Sequence, residues 1–215
     1  MNHPRATALL VIDMQRDFCS PGGYAAQAGL DVARLSSVID NVARLIDAAR
    51  AAGLPVIYTR EGHLPDLSDC EPAKLHRSRA AGAPIGQHGP LGRLLVRGEY
   101  GHGIIDALQP RPGDIVIDKP GYGAFHRTGL EQALQRLGVR NLLLCGVTTE
   151  VCVHSSLREA VDRGYRCITI GDACAASDPA LQEPALKMIA VEGGIFGALA
   201  ATEEALGMLA AEKAA

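Results

Sequence analysis

No stretch of the 215-residue chain approaches the ~20 consecutive apolar residues that a membrane-spanning helix requires, which excludes a helical membrane protein. Charge of one sign is also scarce. Lys and Arg number 21 against 24 Asp and Glu, a net of −3, so there is no electrostatic basis for binding nucleic acid or an anionic membrane. The opening, Met1-Asn2-His3-Pro4-Arg5, lacks the long apolar region and small-residue cleavage site of a signal peptide, and a cytoplasmic protein is expected. No Cys-x-x-Cys occurs among Cys19, Cys70, Cys145, Cys152, Cys167 and Cys174, which removes motif support for a zinc or dithiol site. A chain this long does not need disulfides for a core. There is no internal repeat, linker or low-complexity tract, so residues 1–215 are expected to form a single domain.

What is present is an alternation of short β-rich runs with helical patterns. Ala8 to Ile12, Pro55 to Thr59, Asp114 to Lys119, Asn141 to Gly146 and Arg166 to Ile170 read as strands. Residues 34–52, 128–137, 149–163, 180–191 and 202–211 read as helices, with a short helix at 103–108 and a short segment at Ile195-Phe196. Residues 61–97 read as one long irregular loop, and loops of that length are usually functional. Strands apolar on both faces, separated by amphipathic helices, imply a three-layer α/β/α fold around a mainly parallel open sheet.

Ligands of such sheets bind beyond the carboxyl ends of the strands. Asp13, Lys119 and Cys152 stand at such ends. Each has a bland alternative: a turn aspartate, a loop lysine, a buried thiol. Their shared location favours chemistry, because a charge after so apolar a run needs a partner. Gly146-Val147-Thr148-Thr149-Glu150-Val151-Cys152 is a strand-to-helix turn that puts Cys152 near a helix start. The helix dipole and Lys119 then predict a lowered thiol pKa and a thiolate nucleophile.

The runs Leu10-Val11-Ile12-Asp13-Met14-Gln15-Arg16-Asp17-Phe18, Asp118-Lys119-Pro120 and Gly146 to Val153 resemble the isochorismatase-like cysteine hydrolases. The resemblance extends from about residue 7 to 200. It implies Asp13 as general base, Lys119 as stabilising cation and Cys152 as nucleophile. It also implies a cis peptide at Val147-Thr148 and an oxyanion hole from the N–H groups of Thr148 and Cys152. Cys152 argues against isochorismatases proper, which lack the nucleophile. Metal-dependent nicotinamidases carry an Asp-x-His pair after the second strand. Here Thr59-Arg60-Glu61-Gly62-His63 has a single histidine, so no metal and no other cofactor is expected.

Residues 59–69, Gly89 to Arg93, Arg97-Gly98-Glu99 and Ile117 to Phe125 look most like biuret and triuret hydrolases. Hydrolysis of a C–N bond in a small urea-derived amide through a thioester-type intermediate is therefore expected. Ureidoacrylate or N-carbamoyl amidohydrolases and metal-dependent nicotinamidase-like amidases are the alternatives. Phe18, Arg60, Thr148 and Glu192 are the candidate substrate contacts. Glu192 replaces the family's glutamine and, accepting hydrogen bonds only, favours a substrate that presents N–H groups over a carboxylate. Family likeness also implies a homo-oligomer, a dimer or tetramer, as the only partner besides the small substrate. Residues 61–97, with Arg77, Arg79, Arg93 and Arg97, fit either a lid or a subunit interface.

Overall fold

The computed structural model describes residues 6–214. The expectation about the opening pentapeptide falls outside them. Among the described residues no helix is long and apolar enough to cross a membrane. In chain order the strands are β1 (Thr7–Ile12), β2 (Val56–Glu61), the two-residue pair β3 (His88–Gly89) and β4 (Gly92–Arg93), β5 (Ile115–Lys119), β6 (Asn141–Val147), β7 (Arg166–Ala175) and β8 (Ala198–Ala200). The helices are α1 (Arg16–Cys19), α2 (Tyr24–Gln27), α3 (Val32–Ser36), α4 (Ile39–Ala51), α5 (Pro72–Ala80), α6 (Leu130–Arg136), α7 (His154–Asp162), α8 (Pro179–Ile189), the kinked turn α9 (Val191–Gly194) and α10 (Thr202–Ala214).

The layers follow from β1. All six of its residues are buried, and successive side chains leave on opposite faces. Leu9 and Val11 enter one core with Leu35, Val42, Leu45 and Leu209. Ala8, Leu10 and Ile12 enter the other with Leu130, Leu134, Leu157 and Ile189. Helices therefore cover both faces of a six-stranded sheet, ordered β5-β2-β1-β6-β7-β8 and parallel at every pairing. This is the expected three-layer α/β/α architecture.

The chain runs from β1 outward to β2 and β5, then returns to the other side of β1 as β6. The order reverses between β1 and β6, and a crevice opens beyond their carboxyl ends. Gly146, paired with Ile12, has φ of 117°. A Cβ there would stand 2.1 Å from the Ile12 carbonyl oxygen, so only glycine lets β6 approach β1 this closely.

Several element boundaries depart from expectation. The helix expected at 34–52 is broken into α3 and α4. The Ser36 and Ser37 hydroxyls donate to the Val32 and Arg34 carbonyls and compete with the helical ladder. The irregular stretch 61–97 contains α5 and the β3–β4 pair; the charge-rich α5 carries too weak an apolar period to be visible. The short helix at 103–108 reduces to a 3-10 turn, Asp106–Leu108. The strand from Arg166 continues past Gly171 and Asp172 to Ala175, and the segment near Ile195 leads into β8. Instead of one helix over 149–163, a π-helical turn, Thr149–Val153, precedes α7.

Candidate active site

Four adjacent strands each deliver one reactive group to the same end of the sheet. Asp13 follows β1, in a left-handed conformation (φ 52°). Glu61 closes β2 and Lys119 closes β5, where the two are register partners. Cys152 sits in the π-helical turn after β6. The Gln15 side chain fixes the β2 end. Its amide donates to the Glu61 and His102 carbonyls (2.9 and 3.0 Å), and its oxygen accepts the Glu61 N–H (2.7 Å). Asp17 ties two walls together, accepting from the Tyr24 and Leu95 N–H groups (both 3.1 Å). Burial pushes its pKa up to about 6 despite those two bonds.

The Lys119 ammonium is the hub. Its Nζ lies 2.8 Å from Asp13 Oδ2, 3.3 Å from Glu61 Oε2 and 3.6 Å from Cys152 Sγ, and donates to the Gly121 carbonyl at 3.0 Å. The Cys152 thiol donates to Glu61 Oε2 at 3.3 Å. Thr59 Oγ1 donates to Asp13 Oδ1 at 2.6 Å. Lys74 lies 2.6 Å from Glu61 Oε1, donates to the Pro120 carbonyl and faces the Tyr122 ring. All five groups are buried. Two carboxylates and two ammonium groups compensate one another around a thiol, as burial of charge demands.

This environment corrects the expected thiolate. Burial raises the Cys152 pKa well above its ordinary value. Lys119 pulls it down, but Asp13 and Glu61 add to the burial effect, so the resting group is a thiol. Burial likewise raises Asp13 against the pull of Lys119. Burial would raise Glu61 too, but Lys74 and Lys119 outweigh it and hold that carboxyl below its ordinary value. Burial would lower Lys119, but Asp13, Cys152 and Glu61 outweigh it and hold its pKa above the ordinary lysine value. Of the two carboxylates within 4.8 Å of the sulfur, Asp13, with its pKa raised, is the stronger base, and Glu61, with its pKa lowered, the weaker.

A cavity of about 310 Å³ reaches Cys152, lined by Phe18, Tyr24, Arg77, Tyr122, Thr148 and Glu150 among others. Phe18 and Thr148, two of the candidate substrate contacts, line this cavity, and the Val147-Thr148 peptide is cis. Arg60 and Glu192 do not line this cavity. Side chains alternate along β2, so Arg60 projects away from Glu61 and forms a two-bonded ion pair with Asp118 (2.8 and 3.1 Å). Glu192 is exposed on the kinked turn α9, with φ of 51°. Glu61 and Lys74 were not among the expected site residues. The period of two along Thr59-Arg60-Glu61 carried the signal for Glu61, since Thr59 and Glu61 share a face.

Among the described residues, Asp13, Glu61 and Cys152 are the one set of three potential metal ligands, with their atoms within 4.8 Å of one another. Lys119 Nζ already reaches an atom of each. An ammonium at the centre of the set leaves no fit for a divalent ion. His63 is buried and lies 3.3 Å from Asp69, apart from this set.

The isochorismatase domain matches residues 7–204. The chain belongs to the isochorismatase family. The ureidoacrylate amidohydrolase RutB of Methylorubrum extorquens is 40% identical over 205 residues, covering 94% of this chain and 83% of that protein. A cysteine hydrolase from Pseudomonas syringae superposes with a TM-score of 0.82 at 29% identity, covering 98% of this chain and 95% of that one. N-carbamoylsarcosine amidase from Thermoplasma acidophilum superposes with a TM-score of 0.69 at 26% identity, covering 92% and 96%. The likeness of residues 59–69 to biuret hydrolases is not what these comparisons favour. In the structure much of that segment is framework. Arg60 holds Asp118, and Asp69 holds His63, Arg97 and the Leu64 N–H.

Proposed function

We propose that this isochorismatase-family chain is a metal-independent cysteine amidohydrolase that cleaves a C–N bond of a small ureido acid, of the ureidoacrylate or N-carbamoyl type. The observation that carries the proposal is the buried Asp13–Lys119–Cys152 cluster, whose Cys152 lines a cavity of about 310 Å³. Similarity to a ureidoacrylate amidohydrolase and an N-carbamoylsarcosine amidase supports the ureido group. Arg77 supports the acid. It lines the cavity, its Nε donates to the Tyr122 hydroxyl at 3.3 Å, and its terminal nitrogens suit a carboxylate. Glu192 lies outside the cavity, which removes the objection it raised to an acidic substrate.

As Cys152 Sγ attacks the ureido carbonyl, its proton passes to Asp13, so a thiolate forms only as it reacts. Lys119 stays protonated and balances the negative charge of Asp13 and sulfur. The oxyanion is held by the N–H groups of Thr148 and Cys152. In support, the Thr148 carbonyl accepts from Val151 (3.2 Å) and Val153 (3.1 Å) and passes over the N–H of Cys152. Asp13 returns the proton to the departing nitrogen as the C–N bond breaks, leaving a carbamoyl thioester. A water that gives its proton to Asp13 attacks the thioester, the S–C bond breaks, and sulfur recovers the proton.

The test is turnover of ureidoacrylate, 3-ureidopropionate, N-carbamoyl amino acids, biuret and triuret. Ureido acids are expected to be preferred; a higher kcat/KM for biuret or triuret would overturn that substrate class. Cys152→Ala is expected to lower turnover by about 10⁴-fold or more with the fold retained. Ordinary turnover in that variant would end the mechanism.

A further inference from the structure

We infer that Thr59 is a positioning residue whose hydroxyl fixes the orientation in which Asp13 receives the thiol proton and returns it to the leaving nitrogen. The inference rests on the amidohydrolase reading above, in which Asp13 carries that proton. Thr59 stands on β2 beside Ile12 of β1, on the face of the strand that also carries Glu61, and is fully buried. Its Oγ1 accepts the Asp13 N–H at 3.2 Å and donates to Asp13 Oδ1 at 2.6 Å. A hydroxyl has one proton to give, so the bond to Oδ1 uses it entirely. Lys119 holds the other oxygen, Oδ2, at 2.8 Å.

Threonine is an ordinary strand residue, and a buried hydroxyl needs some partner. Here both of its bonds go to one residue of the neighbouring strand, and one of them to the reacting carboxylate itself. The last torsion of an aspartate is broad, so a carboxylate held at one oxygen only can turn. Lys119 does not stop it alone. An ammonium is a compact charge with three rotatable donors, and Glu61, Cys152 and the Gly121 carbonyl also accept from it. Asp13 also has a left-handed backbone, φ 52°, which in a residue other than glycine persists only where its surroundings hold it. The Thr59 carbonyl and hydroxyl both accept the Asp13 N–H, each at 3.2 Å, and so tie down the backbone as well as the side chain. The Thr59 hydroxyl and Lys119 on β5 favour the ionised carboxylate, against burial and the field of Glu61 on β2. The other titratable groups in reach of it are Cys152 in the π-helical turn and Cys19 in α1.

The test is the pH dependence of kcat/KM for 3-ureidopropionate in two variants. Thr59→Val has nearly the shape of threonine without the hydroxyl, and Thr59→Ser keeps the hydroxyl. In Thr59→Val the acid limb is expected to move up by about one unit or more, the contribution of a hydrogen bond to a charged group. Above that limb kcat is expected to fall about tenfold, with KM changed less than about twofold. Thr59→Ser is expected to restore the parental limb. A merely structural threonine would lower the urea midpoint and leave the limb in place. An unmoved limb in Thr59→Val therefore overturns the inference, as does a limb in Thr59→Ser moved as far as in Thr59→Val. Ionisation of Asp13 is also followed without substrate, by the infrared carboxyl band that Asp13→Asn removes. That band is expected to titrate at higher pH in Thr59→Val and at the parental pH in Thr59→Ser; the same titration in all three proteins overturns the inference. If the band shifts as expected while the parent turns over no ureido compound, the hold of Thr59 on Asp13 stands and the proposed substrate class fails.

Discussion

Glu61→Gln separates two effects that ordinarily move together, the stability of the fold and the reactivity of the thiol. Glu61 lies 2.6 Å from Lys74 and 3.3 Å from Lys119, and all three are buried. A neutral side chain there leaves two ammonium groups facing the single carboxylate of Asp13. Breaking a buried ion pair in this way costs about 3–5 kcal/mol, and the midpoint of urea unfolding should fall accordingly. The thiol should respond in the opposite sense. At an effective dielectric of about 20, a carboxylate 3.3 Å from a thiolate opposes its formation by about 5 kcal/mol, and the ammonium at 3.6 Å favours it by about 4.6 kcal/mol. The two nearly cancel, so burial and Asp13 decide the outcome. Without Glu61 only burial and Asp13 oppose the ammonium, and the Cys152 pKa should drop by at least about one unit, equivalent to about tenfold faster alkylation at fixed pH. The assay is the pH dependence of iodoacetamide labelling, with Cys152→Ala as background. The background is low because burial pushes Cys19, Cys167 and Cys174 up to about 12. A variant that is less stable but has an unchanged or higher thiol pKa would refute the electrostatic account.

Asp13 must be ionised to take the thiol proton, and its pKa is raised by burial. Activity should be complete above that raised pKa and fall as pH drops through it, so the acid limb of kcat/KM should lie above the ordinary carboxyl value of 3.8; a limb at or below it would contradict the assignment. Arg77→Ala should raise KM for carboxylate-bearing ureido substrates by about tenfold with little change in kcat, the mark of a binding group rather than a reacting one; an unchanged KM would remove Arg77 from recognition. Gly146→Ala should cost more than about 4 kcal/mol, because its Cβ would overlap the Ile12 backbone at a positive φ; thermal unfolding at the parental midpoint would show that β6 can shift.

The sheet and three residues of the candidate site were legible in the sequence because buried parallel strands are continuous apolar runs. A charge placed just after such a run, like Asp13 or Lys119, cannot be an ordinary surface charge. Glu61 and Lys74 were harder to see. They lie in charge-rich stretches, where a paired buried ion and a solvated one look alike. The direction of the Cys152 pKa was misjudged for the same reason. The helix start and Lys119 were visible, but the second carboxylate and the depth of burial were not. Arg60 and Glu192 lie away from the cavity on backbone grounds, one by the alternation of β2 and the other by the left-handed kink at α9.

The register of the four adjacent strands β5, β2, β1 and β6 has a consequence for heating. Ile12 is locked to both Thr59 and Gly146, and Glu61 to Lys119 on the edge strand β5, so the spacing of acid and ammonium is dictated by strand pairing rather than by mobile loops. Regions so deeply hydrogen-bonded open only when everything opens. Catalytic competence and the cooperative melt should therefore share one transition, with no warm, folded but inert intermediate between them.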